Sequence, residues 1–259
     1  AMARALSLYV EADTFVQRLD PMVKLLYIVV AILIPFVILP FRWVGAGFIL
    51  VSCVALLYAK VFPRVLPLLG FSFLILISIV VIQGLFMPGN KTPAAEILGL
   101  TFYKEGLLYA LTLCIRVLDV LLAFALLVLT TRPSDLIQSL VKRGLSPRFG
   151  YVLSSALQVI PQMMSQVDSI MDAQRSRGLE TEGGLWVRLK AFIPLIGPVV
   201  MSSLLETRER AMALEVRGFS ASGKKTFLYE RESLVLDRIL QWVLIASLVL
   251  SLVARFTVL

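Results

Sequence analysis

Apolar residues in this chain fall into two kinds of pattern. Five stretches are almost continuously apolar: residues 23–39, 44–58, 65–86, 107–129 and 234–258. A helix needs roughly 20 apolar residues to cross a bilayer, so these five are expected to span one. The second is short, and Ala59 and Lys60 could extend it if the lysine snorkels to the interface. Between the fourth and fifth stretches the pattern becomes periodic. Phe149, Leu153, Leu157, Ile160, Met164, Val167 and Met171 recur at three- and four-residue intervals, the signature of one helix face. A second such face runs through Trp186, Leu189, Ile193, Ile196 and Val200 and gives way to the charged Glu206-Thr207-Arg208-Glu209-Arg210. Pro161 is expected to kink the first of these helices. Polar distal halves and internal prolines (Pro194 and Pro198 in the second) argue for amphipathic helices rather than two more spans.

Helix punctuation divides the region further. Thr131-Arg132-Pro133-Ser134-Asp135 opens a short helix that ends near Lys142-Arg143-Gly144. Ser146 followed by Pro147 reads as an N-cap with proline at the first helical position. Met87-Pro88-Gly89-Asn90 opens a polar loop between the third and fourth spans. The expected fold is therefore an all-α integral membrane protein. Residues 1–131 carry four transmembrane helices, 132–233 one short and two long amphipathic helices, and 234–259 the final span, all in one integrated domain.

Composition agrees. Hydrophobic residues make up 59% of the 259 positions, above the roughly half of a soluble domain. The first 20 residues lack the short apolar core of a cleavable signal peptide, so none is expected. Net charge is +8, and the lysines and arginines are unevenly placed. Arg4, Arg18, Lys24, Lys60, Arg64 and the basic residues from Arg132 to Arg238 fall on one side of a five-span layout; Arg42, Lys91, Lys104 and Arg255 fall on the other. By the positive-inside rule the N-terminus and the insert are cytoplasmic and the C-terminus external. No basic patch interleaved with aromatics points to nucleic acid.

Candidate chemistry is sparse. The chain has no histidine, and Cys53 and Cys114 sit in apolar runs. Gly218-Phe219-Ser220-Ala221-Ser222-Gly223-Lys224-Lys225 approaches a phosphate-binding loop, but Lys225 stands where a Mg²⁺-binding hydroxyl is needed and no apolar strand precedes it. An intramembrane enzyme acting on a lipid or prenyl phosphate would need clustered aspartates, and Asp168 and Asp172 are the one close pair. A self-sufficient channel or carrier would show repeat symmetry among the spans, and none is visible. Arg116 and Asp119 lie inside the fourth span at i and i+3, where they could neutralise each other or meet a partner subunit.

One motif occurs twice. Ala173-Gln174-Arg175-Ser176-Arg177-Gly178 and Ala213-Leu214-Glu215-Val216-Arg217-Gly218 both read Ala-x-x-x-Arg-Gly, and each closes one long helix. Taken singly, each is an ordinary helix stop: glycine accepts left-handed dihedrals, and arginine suits the negative end of the helix dipole. Taken together, they suggest two similar tips, each offering a guanidinium to an acidic groove.

With Leu19-Asp20-Pro21-Met22-Val23-Lys24-Leu25 and Thr130-Thr131-Arg132-Pro133-Ser134-Asp135-Leu136, this pair of motifs resembles the T component (the EcfT/CbiQ/BioN group) of energy-coupling factor transporters, ABC-type importers of vitamins and transition-metal ions in prokaryotes. The likeness covers nearly the whole chain; Met22 departs from it where arginine is common. The resemblance implies a non-catalytic scaffold in the prokaryotic cell membrane. It implies as partners two cytoplasmic ABC ATPases, which themselves handle ATP and Mg²⁺, and a substrate-binding membrane S component. This chain itself would bind no cofactor. Carried onto this sequence, the ATPase-binding residues are Ala173, Arg175, Arg177, Gly178, Ala213, Arg217 and Gly218.

Overall fold

The computed structural model describes residues 14–38, 42–88, 92–97, 100–178, 184–221 and 235–258. It resolves into two compact units, one of residues 7–140 and 231–259, the other of residues 1–6 and 141–230.

In the first unit, α1 (Phe15–Arg18) leads to α2 (Pro21–Leu33), which starts where Asp20 caps it: its carboxylate accepts the Met22 N–H at 3.1 Å, and Pro21 supplies a preset φ at the first position. The apolar run then loosens into a π-turn, Ile34–Ile38, at Pro35, which has no N–H to donate. Next come α3 (Arg42–Tyr58) and α4 (Phe62–Phe86). The suggested extension of the second span through Ala59 and Lys60 does not occur. The helix stops at Tyr58, and Lys60 turns the chain with φ +57°.

After α4 the structure holds a small antiparallel hairpin, β1 (Pro93–Ile97) and β2 (Leu100–Tyr103), where the sequence showed only a polar loop. Its strands are short, and β1 is rich in alanine and glutamate, so neither carries a readable period-two pattern. Among the described residues the regular structure is otherwise helical.

The long helix α5 (Lys104–Thr130) is the hub, packing against α2, α3 and α4. Leu122, Ala125, Leu126 and Leu129 of α5 close on Leu56, Ala59, Val61 and Val65 as one buried cluster. Tyr27 ties α2 to α3: its hydroxyl donates to the Phe48 carbonyl at 3.2 Å and lies 2.7 Å from Ser52 Oγ. Amphipathic α6 (Pro133–Lys142) follows α5 after two residues. The last helix, α9 (Val235–Val258), packs on α2, with Leu244 and Leu248 against Val30, Ile34 and Ile38.

Among the described residues, α4, α5 and α9 are long and apolar enough to cross a membrane; α2 and α3 are shorter apolar helices. Much of their surface is bare hydrocarbon, as at Phe71, Leu74 and Phe86. That is stable against lipid tails and costly in water.

The second unit is a helix pair, α7 (Pro147–Ser176) and α8 (Leu185–Val216). Ser146 stands at the N-cap of α7 with Pro147 after it, but the serine side chain makes no capping bond. α7 runs on through Pro161, and α8 through Pro194 and Pro198. The apolar faces marked by the periodicity are present, yet Phe149, Leu157, Ile160, Met164, Ile193, Ile196 and Val200 are exposed. Polar side chains link the two helices. Arg210 donates to Gln162 Oε1 at 3.1 Å, and Gln166 Nε2 donates to Glu206. As position rises on α7 it falls on α8, so the helices run antiparallel where they cross.

Candidate functional site

Each Ala-x-x-x-Arg-Gly segment ends its helix with arginine at the C-cap and a glycine of positive φ after it. At α8, Arg217 is the C-cap, and Gly218 takes φ +68°. The Gly218 N–H reaches Glu215 O at 2.9 Å, and the Phe219 N–H reaches Leu214 O at 2.9 Å. These two bonds make a Schellman motif, which satisfies carbonyls the helix leaves open. At α7, Arg177 is the C-cap, Gly178 takes φ +89°, and its N–H reaches Arg175 O at 2.9 Å. The C-cap reading of both glycines is therefore correct as local structure.

The cap also aims the arginine. Ala173, Arg177 and Gly178, and likewise Ala213, Arg217 and Gly218, are all exposed. Arg175 is exposed too, and its guanidinium lies 3.4 Å from Asp172 one turn back. The antiparallel crossing sends the two ends in opposite directions. At about 1.5 Å of rise per residue, Arg177 and Arg217 lie roughly 30 Å apart along the pair. The structure thus keeps the two predicted clusters apart, as separate tips.

Between them, at the crossing, lies an open groove of about 580 Å³ lined by Gln162, Ser165, Gln166, Glu206, Arg210 and Ala213 among others. Ala213 is the motif residue that reaches it. The sequence reading missed one support: Phe219, directly after Gly218, packs its ring on Tyr151 at a centroid distance of 5.2 Å. Aromatic residues beside a cap are the signal that could have found it.

Gly218 to Ala221 form the turn closing α8 rather than a loop after a strand; residues 222–225 of the near phosphate-loop match lie outside the described residues. Among the described residues no group of three or more His, Cys, Asp or Glu side chains stands together. Asp168 and Asp172 are both exposed on α7, and Asp172 accepts from Arg175.

The intramembrane pair is not formed. Arg116 donates to the Pro35 carbonyl at 3.4 Å, and its guanidinium lies 5.1 Å over the Phe36 ring. Both contacts are on the π-turn, where a loosened helix presents carbonyl and ring together. Asp119 is fully buried, and neither carboxyl oxygen has a hydrogen-bond partner among the described residues. Spacing of i and i+3 permits a pair; tertiary packing here offers the guanidinium other partners.

A second group went unnoticed in the sequence as a group. Lys24, read there as an orientation charge, is only 3% exposed. Its ammonium donates to the Thr130 carbonyl at 3.0 Å and to Thr131 Oγ1 at 3.2 Å. Asp20 accepts from Ser139 of α6 at 3.3 Å, and its N–H donates to Asp237 of α9 at 3.1 Å. The Asp-Pro segment and the Thr-Thr-Arg-Pro segment are thus in contact across more than 100 residues of sequence.

Comparison with known proteins places this architecture. The family model CbiQ, described as a cobalt transport protein, matches residues 12–227. The energy-coupling factor transporter transmembrane protein EcfT of Clostridium kluyveri is 33% identical over 234 residues, covering 86% of each chain. The protein of the same name from Bacillus selenitireducens is 32% identical, covering 84% of each chain. That of Staphylococcus aureus is 30% identical, again over 84% of each chain. With a match over most of its length, apolar spanning helices and a polar helix pair, this chain belongs to the CbiQ/EcfT family, the non-catalytic transmembrane T components of energy-coupling factor transporters.

Proposed function

We propose that this chain couples ATP hydrolysis by two cytoplasmic ABC ATPases to uptake of a vitamin or transition-metal ion, through a separate substrate-binding membrane subunit. The observation that carries the reading is the pair of exposed arginines, each followed by a glycine of positive φ, at opposite ends of the crossed α7 and α8. A guanidinium fork pairs bidentately with carboxylates, so each tip suits an acidic groove. Ala173 and Ala213 leave room for a groove wall, and Gly178 and Gly218 let the chain turn away at once. ATP and Mg²⁺ act in the ATPases, and nucleotide-driven closure of those subunits moves the tips. The exposed apolar faces of α7 and α8 supply surface for the membrane partner and for lipid. On this reading α2, α3, α4, α5 and α9 all span the prokaryotic cell membrane, with the N-terminus and the α6–α8 region in the cytoplasm and the C-terminus outside.

Purification of a tagged chain from its native membranes tests the assembly. Two ATPase polypeptides should copurify, and nucleotide hydrolysis should follow them. Hydrolysis by the chain freed of both would refute the scaffold role. Cysteines introduced at Ser220 and at Thr92, with Cys53 and Cys114 replaced by alanine, test the orientation. A membrane-impermeant thiol reagent should label the first only in inside-out vesicles and the second only from outside. The reverse pattern would invert the topology.

A further inference from the structure

We propose that the buried cluster around Lys24 is the mechanical joint of this subunit, with Lys24 as the positioning residue that makes α2 and α9 follow any movement of α6. The inference rests on the coupling role proposed above and deepens it.

Four helices meet at the start of α2. Lys24 holds the end of α5 through the Thr130 carbonyl, 3.0 Å away, and Thr131 Oγ1, 3.2 Å away. The last carbonyls of a helix have no partner within it and sit at the negative end of its dipole, so an ammonium suits them in charge and in donors. Asp20 holds α6 through Ser139 at 3.3 Å, caps α2 itself through Met22 at 3.1 Å, and reaches α9 by its own N–H, 3.1 Å from Asp237. Lys24, Thr130, Thr131 and Asp237 are all at most 6% exposed. Polar groups so buried are costly to unpair, which makes the joint stiff.

The connection into the joint is equally short. Only Thr131 and Arg132 separate α5 from α6, and the Asp135 and Leu136 N–H groups both bond back to Arg132 O, at 3.0 and 3.1 Å. Two residues span at most about 7 Å, so no slack linker can absorb displacement of α6. In chain order α7 follows α6 after four residues, 143–146. A pull arriving along α6 must therefore move the end of α5 and, through Lys24 and Asp20, the starts of α2 and α9.

The test compares Lys24→Met, Thr131→Val and Thr131→Ser in the full complex, reconstituted into liposomes with its ATPases and substrate-binding subunit. Uptake and ATP hydrolysis are measured per assembled complex. Thr131→Val removes one acceptor of the ammonium at nearly constant volume; Thr131→Ser keeps it. The expected result is retained ATPase binding and hydrolysis in Lys24→Met and Thr131→Val. Uptake per ATP should fall about tenfold, the scale of one charge-assisted hydrogen bond, and Thr131→Ser should restore it. A merely structural cluster lowers the amount of folded complex and leaves the ratio unchanged. An unchanged ratio in either Lys24→Met or Thr131→Val overturns the joint. The coupling role itself fails separately, if the wild-type chain brings down no ATPase.

Discussion

The tips of α7 and α8 share a motif and differ in what supports them. At α8 the Schellman bonds are joined by Phe219, whose ring packs on Tyr151 near the start of α7. At α7 the described side-chain contacts include Arg175 with Asp172 and Ser176 Oγ with Asp172 O at 3.1 Å, all within the last two turns. Among the described residues, the first tip is braced by the neighbouring helix and the second by contacts within its own last turns. Six residues of motif are enough to fix a cap and aim an arginine. Resistance to bending depends on what lies outside the motif.

Three perturbations probe that contrast. The largest effect is expected from reversing both charges. Losing a buried, paired guanidinium costs about 2–5 kcal/mol at an interface, and reversal adds repulsion. Arg177→Glu with Arg217→Glu should therefore abolish uptake and release the ATPases, and each single change should weaken copurification. If arginine served only the helix dipole, the loss would be about 0.3–1 kcal/mol and the complex would survive. Normal uptake by the double variant would remove the tips from the mechanism.

Next come the glycines. An L-residue in left-handed conformation costs about 1–2 kcal/mol, so Gly178→Ala and Gly218→Ala should both fray a tip. Gly178, at φ +89°, lies farther from the left-handed minimum than Gly218 at φ +68°, so its substitution should do more harm. Amide hydrogen exchange over the last turn of each helix measures this. Equal protection in wild type and both variants would show that the caps do not need glycine.

The smallest effect, and the one that separates the two tips, is Phe219→Ala. An aromatic pair adds about 0.5–1.5 kcal/mol beyond its area. Exchange should quicken at Leu214 to Phe219 and stay unchanged at Arg175 to Gly178. Equal acceleration at both tips would mean that the ring contact braces the whole helix pair rather than one end.

Much of the fold was legible because its causes are local. The runs at 65–86, 107–129 and 234–258 became α4, α5 and α9 with boundaries shifted by a few residues, since length and hydrocarbon content suffice to commit a segment to helix in a membrane. The start of α6 at Pro133 and of α7 at Pro147 followed from proline preset at the first helical position. Non-local features were not legible. Lys60 looked like a snorkelling end to α3 and instead turns the chain, because Val61 and Val65 are drawn into the cluster around Leu56 and Leu126. The β1–β2 hairpin leaves little trace in a sequence of short strands.

What the sequence by itself determined is the membrane class, the long apolar helices and two arginine-bearing caps, all properties of a chain segment and its immediate neighbours. Tertiary structure alone decided which charges meet. Arg116 and Asp119 stand three residues apart and do not pair, because the π-turn brings the Pro35 carbonyl and the Phe36 ring to the guanidinium. Lys24 and Thr130 stand 106 residues apart and do pair, because α2 and α5 pack side by side and the end of α5 presents open carbonyls to a buried ammonium. In a low-dielectric interior a charge binds whatever donor or acceptor packing delivers to it, and sequence spacing carries no record of that delivery.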